Sequence, residues 1–277
     1  MTREALTNEA KRDVAGTDRH HPVYPQGDQE FMLSLARGLE VVNAFSSENR
    51  SLTLAEASVL TGLPRAVVRR CLHTLTILGY VNFHERRFSL RPKILHLGHP
   101  YLAAAPLAAI AQPYLEKITA ALNESCSLAT LNGENITYIA RCAAKFRIMS
   151  VDLQVGSELP AHCTSMGRIL LANQPIEVQE RLLRKAKLVA NTRFTITDRV
   201  ALLSILQRAK ERGYCLLDQE LELGLRSIAV PVRNANGTVV AALNVGVNAG
   251  RYSKQQLTAI ALPVLKAIAN EIGQLLL

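Results

Sequence analysis

The stretch from Thr53 to Leu90, TLAEASVLTGLPRAVVRRCLHTLTILGYVNFHERRFSL, limits the possible folds more than any other part of the chain. It reads as two short helices joined by a tight turn, followed by a basic hairpin. Thr53 can cap the first helix, and Glu56 three residues later completes a capping box. Leu54, Ala57 and Leu60 give that helix a short apolar face. Gly62 can stop it, and Pro64 suits the first turn of the next helix. The second helix is expected to run to about Leu78, with Gly79 ending it. Val68, Leu72, Leu75 and Leu78 fall at i, i+4, i+7 and i+10, a single buried face. Arg69, Arg70 and His73 lie off that face, and Arg65 can reach outward from the first turn. Such a helix can enter the major groove of double-stranded DNA, where arginine reads guanine or grips phosphate. The hairpin is expected at Tyr80–Phe83 and Phe88–Leu90, with its tip at His84–Arg87. Arg86 and Arg87 would there meet a phosphate or the minor groove. Residues 50–95 hold eight Lys or Arg and two acids, so most of the chain's net charge of +9 sits in about one-sixth of its length. That concentration fits an electrostatic footprint for nucleic acid.

The flanking segments set the domain plan. Residues 1–28 are polar and aperiodic and read as a flexible N-terminal tail. Its adjacent His20 and His21 have no Cys or acidic ligands at a suitable spacing, so no metal site and no cofactor are expected. FMLSLARGLEVVNAF, Phe31–Phe45, is amphipathic, with Leu35, Leu39, Val42 and Phe45 as its expected buried face. Residues 29–91 thus form a winged helix-turn-helix DNA-binding domain. Residues 92–112, broken by Pro92, Pro100 and Pro106, read as linker helices, with a longer helix from Pro113 to Asn123 opening an effector-binding domain over 113–277. No apolar run approaches the roughly 18 residues needed to span a membrane. The N-terminus lacks a signal core, and the five cysteines are scattered and odd in number, as expected of reduced thiols in a cytoplasmic protein.

Beyond Ser125 the periodicity changes to mixed strands and helices, α+β in class. Strands are expected at Ser125–Leu131, Asn135–Cys142, Arg147–Leu153, Tyr214–Asp218, and from Leu225 and Thr238. Helices are expected at His162–Asn173, Ile176–Lys187, Arg199–Arg212 and Ser253–Leu276. In the strand from Leu225, Ile228, Val230 and Val232 share one face, and Ser227, Ala229 and Pro231 the other. The strand from Thr238 repeats this, with Leu243, Val245 and Val247 opposite Ala242, Asn244 and Gly246. Two neighbouring faces of small residues leave room either for a small ligand, bonded by Ser227 and Asn244, or for closely packed helices. HCTSMGR from His162 places Thr164, Ser165 and Gly167 at a helix start, where free backbone donors favour a carboxylate. Asp218, Glu220 and Glu222 could accept from ligand hydroxyls. Arg226 could neutralise a carboxylate or make a structural salt bridge.

LPRAVVRRCLHTL, LGYV and the hairpin, together with LPAHCTSMGRILLA, DQELELGLRSIAVPVRNANGTVVAALNV and the closing helix, resemble the IclR family of bacterial transcriptional regulators from residue 30 onward. RRFSLRPKILHLGHPYL resembles its subgroup that controls protocatechuate, hydroxybenzoate and β-ketoadipate catabolism. The resemblance implies a GAF-like α/β effector domain whose central antiparallel sheet is flanked by helices, and assembly with itself as a dimer or tetramer. It implies effector contacts at Ser165, Met166, Asp218, Ser227, Asn244 and Gly246, to which the residue reading adds Thr164 and Arg226. Where relatives carry small hydroxyl residues at the start of the recognition helix, this chain has Ala66 and Val67. That shifts phosphate contact towards Arg65, Arg69 and Arg70, and leaves a methyl contact with thymine.

The expected function is a ligand-responsive regulator of aromatic-compound catabolic genes. Its partners would be a pseudo-palindromic operator, a small aromatic carboxylate of hydroxybenzoate or protocatechuate type, and RNA polymerase. A non-aromatic carboxylate such as β-ketoadipate is the alternative effector. An enzyme using Cys163 with His162 is a remote reading, because adjacent side chains point apart and no converging base is evident.

Overall fold

A computed structural model describes residue 24 and residues 28–46, 48–98, 107–144 and 153–276. The chain divides into two compact units, Met1–Pro100 and Tyr101–Leu277. Residues 1–23 and 25–27 of the expected tail and nearly all of the Arg147–Leu153 strand lie outside the described residues; Tyr24 stacks near Phe31, and Leu153 is buried and carries no strand assignment.

The first unit holds α1 (Leu33–Asn43), β1 (Ser51–Leu52), α2 (Leu54–Thr61), α3 (Arg65–Ile77), β2 (Val81–His84) and β3 (Arg87–Leu90). Thr53 and Glu56 form the reciprocal capping box, and Gly62 ends α2 at φ 65°. Pro64 stands one residue ahead of α3, at its N-cap. The strands form an antiparallel sheet in the order β1-β3-β2. β1, two residues long, is too short to show in an alternation pattern. Val41, Ala44, Leu52, Ala57, Leu63, Val68, Leu72 and Val81 make the core.

Two expectations about this core need correction. On α1, Leu35 and Leu39 are about half exposed and Val41 is fully buried. Packing uses the side through Val41 and Ala44, with the expected Phe45 also against the core. On α3, the helix stops before Leu78, so Leu78 is half exposed while Val68 and Leu72 are sealed.

After a 3-10 turn at Pro92–Ile94, residues 95–98 are helical. The helix expected from Pro113 in fact begins earlier, as α4 (Leu107–Leu122), with Pro113 inside it. A boundary at 112/113 would cut this helix, and Leu107 and Ala111 already belong to the core of the second unit. The linker therefore ends sooner than the proline spacing suggested.

The second unit continues with β4 (Ser125–Asn132), β5 (Asn135–Cys142), β6 (Glu158–Pro160), a 3-10 turn at Ala161–Cys163, α5 (Ser165–Ala172), α6 (Ile176–Lys185), α7 (Arg199–Arg212), β7 (Cys215–Asp218), β8 (Leu225–Arg233), β9 (Val239–Asn248) and α8 (Lys254–Gln274). Its antiparallel sheet has the order β6-β5-β4-β9-β8-β7. The edge strand β6 was not anticipated. Alternation sorts the sheet's two faces as expected. Ile228, Val230, Val232, Leu243, Val245 and Val247 pack under α4 and α8. Ala129, Ala229 and Ala242 lie on the other side, against Met166, Ile169 and Leu170 of α5 and Leu202 and Leu206 of α7. Gly273 is required where α8 crosses the sheet, because a Cβ there would stand 2.1 Å from the Arg233 carbonyl oxygen.

Candidate functional site

In the first unit, burying Val68 and Leu72 turns the opposite side of α3 to solvent. Arg65, Ala66, Arg69, Arg70 and His73 are exposed on it. Val67 is half buried and packs against the core, which takes it away from a thymine methyl group. At the hairpin tip, Glu85 (φ 49°) and Arg86 (φ 62°) are both left-handed, the geometry of a two-residue hairpin turn. Arg86 projects there, exposed.

Arg87 already has partners within its own unit. Its Nε donates to Ser51 Oγ at 2.9 Å, and its Nη2 to the Ser51 carbonyl at 2.8 Å and Glu56 at 3.2 Å. These bonds tie the wing to the start of α2 and engage Nε and Nη2, while the side chain stays about half exposed. Glu56 is held below the usual carboxylate range by the Thr53 backbone N–H, with a further contribution from Arg87 against the opposing effect of burial. Lys93 Nζ donates to the Leu78 carbonyl at 2.8 Å, satisfying the end of α3.

In the second unit, the small-residue face splits along its length. At the Ala129–Ala229–Ala242 end α5 packs directly on the sheet. At the other end a pocket of about 120 Å³ opens. A cavity of the order of 150 Å³ takes one benzene ring, so this space, open on one side, is on the scale of a single small ring. The register explains its lining. Ser127 faces Asn244 and Ser125 faces Gly246 between β4 and β9, while Ser227 faces Gly246 between β8 and β9. Ser127 also faces Arg141 on β5. All six line the pocket, with Thr164 and Ser165 contributed by the start of α5, and Leu217, Leu221 and Leu225 giving apolar surface.

Thr164 caps α5 by accepting from the Gly167 N–H at 3.2 Å. Gly167 allows the close approach of the Ala161 backbone, since a Cβ would come within 2.3 Å of that carbonyl oxygen. Ser165 is 1% exposed. Its Oγ and the Asn244 Oδ1 are buried without a hydrogen-bond partner among the described residues. Buried polar atoms are nearly always bonded, so two such atoms on one small pocket mark a place for a polar ligand.

Three expected contacts fall elsewhere. Met166, one residue beyond Ser165, is rotated into the core beside Ile169. Asp218 pairs with Arg226, and both lie opposite Ser227 because β7 places Leu217, not Asp218, against that serine. Arg226 also donates to the Ala249 and Tyr252 carbonyls, and Lys254 reaches Asp218 at 3.1 Å. Burial raises the Asp218 carboxyl, but its bonds to Arg226 and Lys254 prevail and hold it below the usual range. Arg226 thus makes the structural salt bridge.

Ser125, Ser127 and Arg141 were missed. The Ser-x-Ser-x-Ala alternation from Ser125 was the available signal, but only long-range pairing of β4 with β9 brings it to the site. Glu220 also lines the pocket, and its carboxylate is already engaged. Arg168 Nη1 and Nη2 donate to it at 2.8 and 2.5 Å, and the Ile196 N–H at 3.1 Å. Cys163 lines the pocket, but burial pushes its thiol up to about 12, and Asn191 donates to its sulfur. The His162 ring turns towards the Val189 carbonyl at 3.3 Å, and its buried imidazole titrates below the ordinary histidine range. The two form no nucleophile–base pair. Among the described residues no cluster of three His, Cys, Asp or Glu is placed to hold a metal ion, and no helix is long and apolar enough to cross a membrane.

Comparison with known proteins links the two sites. Residues 34–85 match the IclR helix-turn-helix domain, and residues 99–274 match the domain described as bacterial transcriptional regulator IclR C-terminal. The chain is 50% identical over 246 residues to the Pca regulon regulatory protein of Pseudomonas putida, covering 89% of this chain and 84% of that one. It is 34% identical to the p-hydroxybenzoate hydroxylase transcriptional activator of Acinetobacter baylyi, over 93% of this chain and 99% of the relative. A crystal structure of an IclR homologue from Microbacterium hydrocarbonoxydans, complexed with 4-hydroxybenzoate, superposes with a TM-score of 0.74 at 25% identity, covering 87% and 97% of the two chains.

Proposed function

Since the chain belongs to the IclR family of bacterial transcriptional regulators, we propose that it regulates aromatic-compound catabolic genes by binding operator DNA through α3 and a hydroxybenzoate- or protocatechuate-type acid in the second unit. The observation that carries the effector reading is the ring-sized pocket with the unpartnered Ser165 Oγ and Asn244 Oδ1. The chain is a regulator and not an enzyme, in keeping with its relatives and with the inert surroundings of Cys163. Thr164, Ser165, Ser227, Asn244 and Gly246 remain the proposed effector contacts. Arg65, Ala66, Arg69, Arg70, His73 and Arg86 remain the proposed DNA contacts.

The protein would act in the cytoplasm as a dimer or tetramer. Two copies of α3 would read half-sites of a pseudo-palindromic operator. The acid would act by binding one arrangement of the DNA-binding units more tightly than another. Contact with RNA polymerase would then depend on where the operator lies relative to the promoter. Arg69→Ala with Arg70→Ala should abolish operator binding in a mobility-shift assay, while calorimetric binding of 4-hydroxybenzoate is kept. Loss of both would argue against separate output and sensor units.

A further inference from the structure

We propose that Arg141 is the carboxylate anchor of this pocket, and that Asn244 and Ser165 read a hydroxyl at the far end of the same ligand. The site therefore selects a monocarboxylate carrying a hydroxyl over a dicarboxylate. This inference rests on the effector reading above and gives it a direction.

Arg141 lines the pocket, is half buried, and makes no ion pair with any described residue. Its Nη1 donates to Ser127 Oγ at 2.9 Å, which fixes one arm of the fork. A guanidinium has five N–H donors, so four stay available for a planar, doubly bonded carboxylate. The neighbouring cation, Arg168, is spent on Glu220. Glu220 in turn is neutralised by that pairing. Arg141 is therefore the one uncompensated charge among the described residues of the pocket lining. One free cation calls for one anion.

The opposite end has different chemistry. Arg141, Ser127 and Asn244 stand in a row across β5, β4 and β9, because each faces the next in register. Two strand steps, about 10 Å, separate the Arg141 and Asn244 backbones, and because the guanidinium reaches back to Ser127 the gap left between the two groups is shorter, the span of one ring rather than of a long chain. Asn244 Oδ1 is an acceptor and needs a donated proton. The amide also carries the Nδ2 donors, and a hydroxyl, which both donates and accepts, satisfies both of its atoms, whereas a carboxylate at neutral pH can only accept. Ser165 Oγ, on the helix packed over β8 and β9, can donate to that same hydroxyl oxygen or accept from it.

Titration calorimetry on the full chain tests this with 4-hydroxybenzoate, 4-hydroxybenzamide, benzoate and adipate. Arg141→Met should weaken 4-hydroxybenzoate by about ten- to hundredfold and leave 4-hydroxybenzamide within about twofold of its wild-type affinity, because the amide brings no charge to the lost anchor. Arg141→Lys should restore part of the acid's affinity, which also guards against a misfolded Met variant. Wild type should favour 4-hydroxybenzoate over benzoate, and Ser165→Ala should narrow that gap. Equal losses for acid and amide in Arg141→Met would overturn the anchor. Adipate binding more tightly than 4-hydroxybenzoate would overturn the single-anion selectivity. If wild type bound none of the acids, the effector reading itself would fall, whereas acids that bound wild type and Arg141→Met alike would remove only the anchor.

Discussion

The Ser165 hydroxyl has no hydrogen-bond partner among the described residues, so no protein contact rewards its burial. A buried polar group without a partner costs about 1–3 kcal/mol. Ser165→Ala should therefore leave the ligand-free protein at least as stable as wild type in a thermal melt, and a lower midpoint would show that the hydroxyl is bonded after all. Gly167 behaves oppositely. A methyl group there meets the Ala161 backbone at 2.3 Å, so Gly167→Ala should destabilise by at least about 1–3 kcal/mol in urea unfolding. An unchanged urea midpoint would mean that the 161–167 segment gives way freely. Asp218 sets a pH dependence. Its folded carboxyl titrates below its unfolded value, so the unfolded chain takes up the proton first as pH falls. Its contribution is complete above the ordinary carboxylate range and is lost as pH drops through the lower folded value. Asp218→Asn should flatten the acid limb of a stability–pH curve; an identical limb would deny the pairing any role.

At the scale of elements, the wing shows a compromise. Glu85 and Arg86 occupy left-handed positions that glycine or asparagine fill without strain. Arg86→Gly should relieve strain of about 1 kcal/mol while weakening DNA binding and lowering the salt dependence by about one phosphate contact. Unchanged salt dependence would place the tip away from the duplex. Elements with strong local signals were legible in the sequence: the Thr53–Glu56 capping box, the sealed Val68–Leu72 pair, and the alternation in β8 and β9 that exposed Ser227, Asn244 and Gly246. Choices settled by tertiary packing were not legible. On α1 the Leu35–Leu39 side is the more apolar in sequence, yet the partner surface selects Val41 and Ala44. Pro113 suggested a helix start, yet α4 carries it internally. Arg141 gave no local sign, because its meaning depends on β5 lying beside β4 and β4 beside β9. Met166 and Asp218 failed for a simpler reason: each is one residue from a true lining position, and one residue turns a helix by about 100° or reverses a strand face.

At the scale of the whole molecule, the units have separate cores, a small one around Val41 and Leu72 and larger ones on both faces of the six-stranded sheet. Denaturant unfolding should resolve two transitions, with 4-hydroxybenzoate raising the midpoint of only the one that belongs to the second unit. Equal shifts in both would show that the units melt as one. The two-faced sheet also bears on how such a sensor can diversify. The bulky strand residues of β8 and β9 point towards α4 and α8, and the pocket-lining Ser127, Ser227, Asn244 and Gly246 point away from them, beyond the alanine end where α5 packs on the sheet. Substitutions that retune chemical preference thus fall on positions that contribute little to cohesion. A mutant library confined to that lining should yield receptors for new acids at a high rate of soluble expression, making the domain a suitable starting point for engineered biosensors.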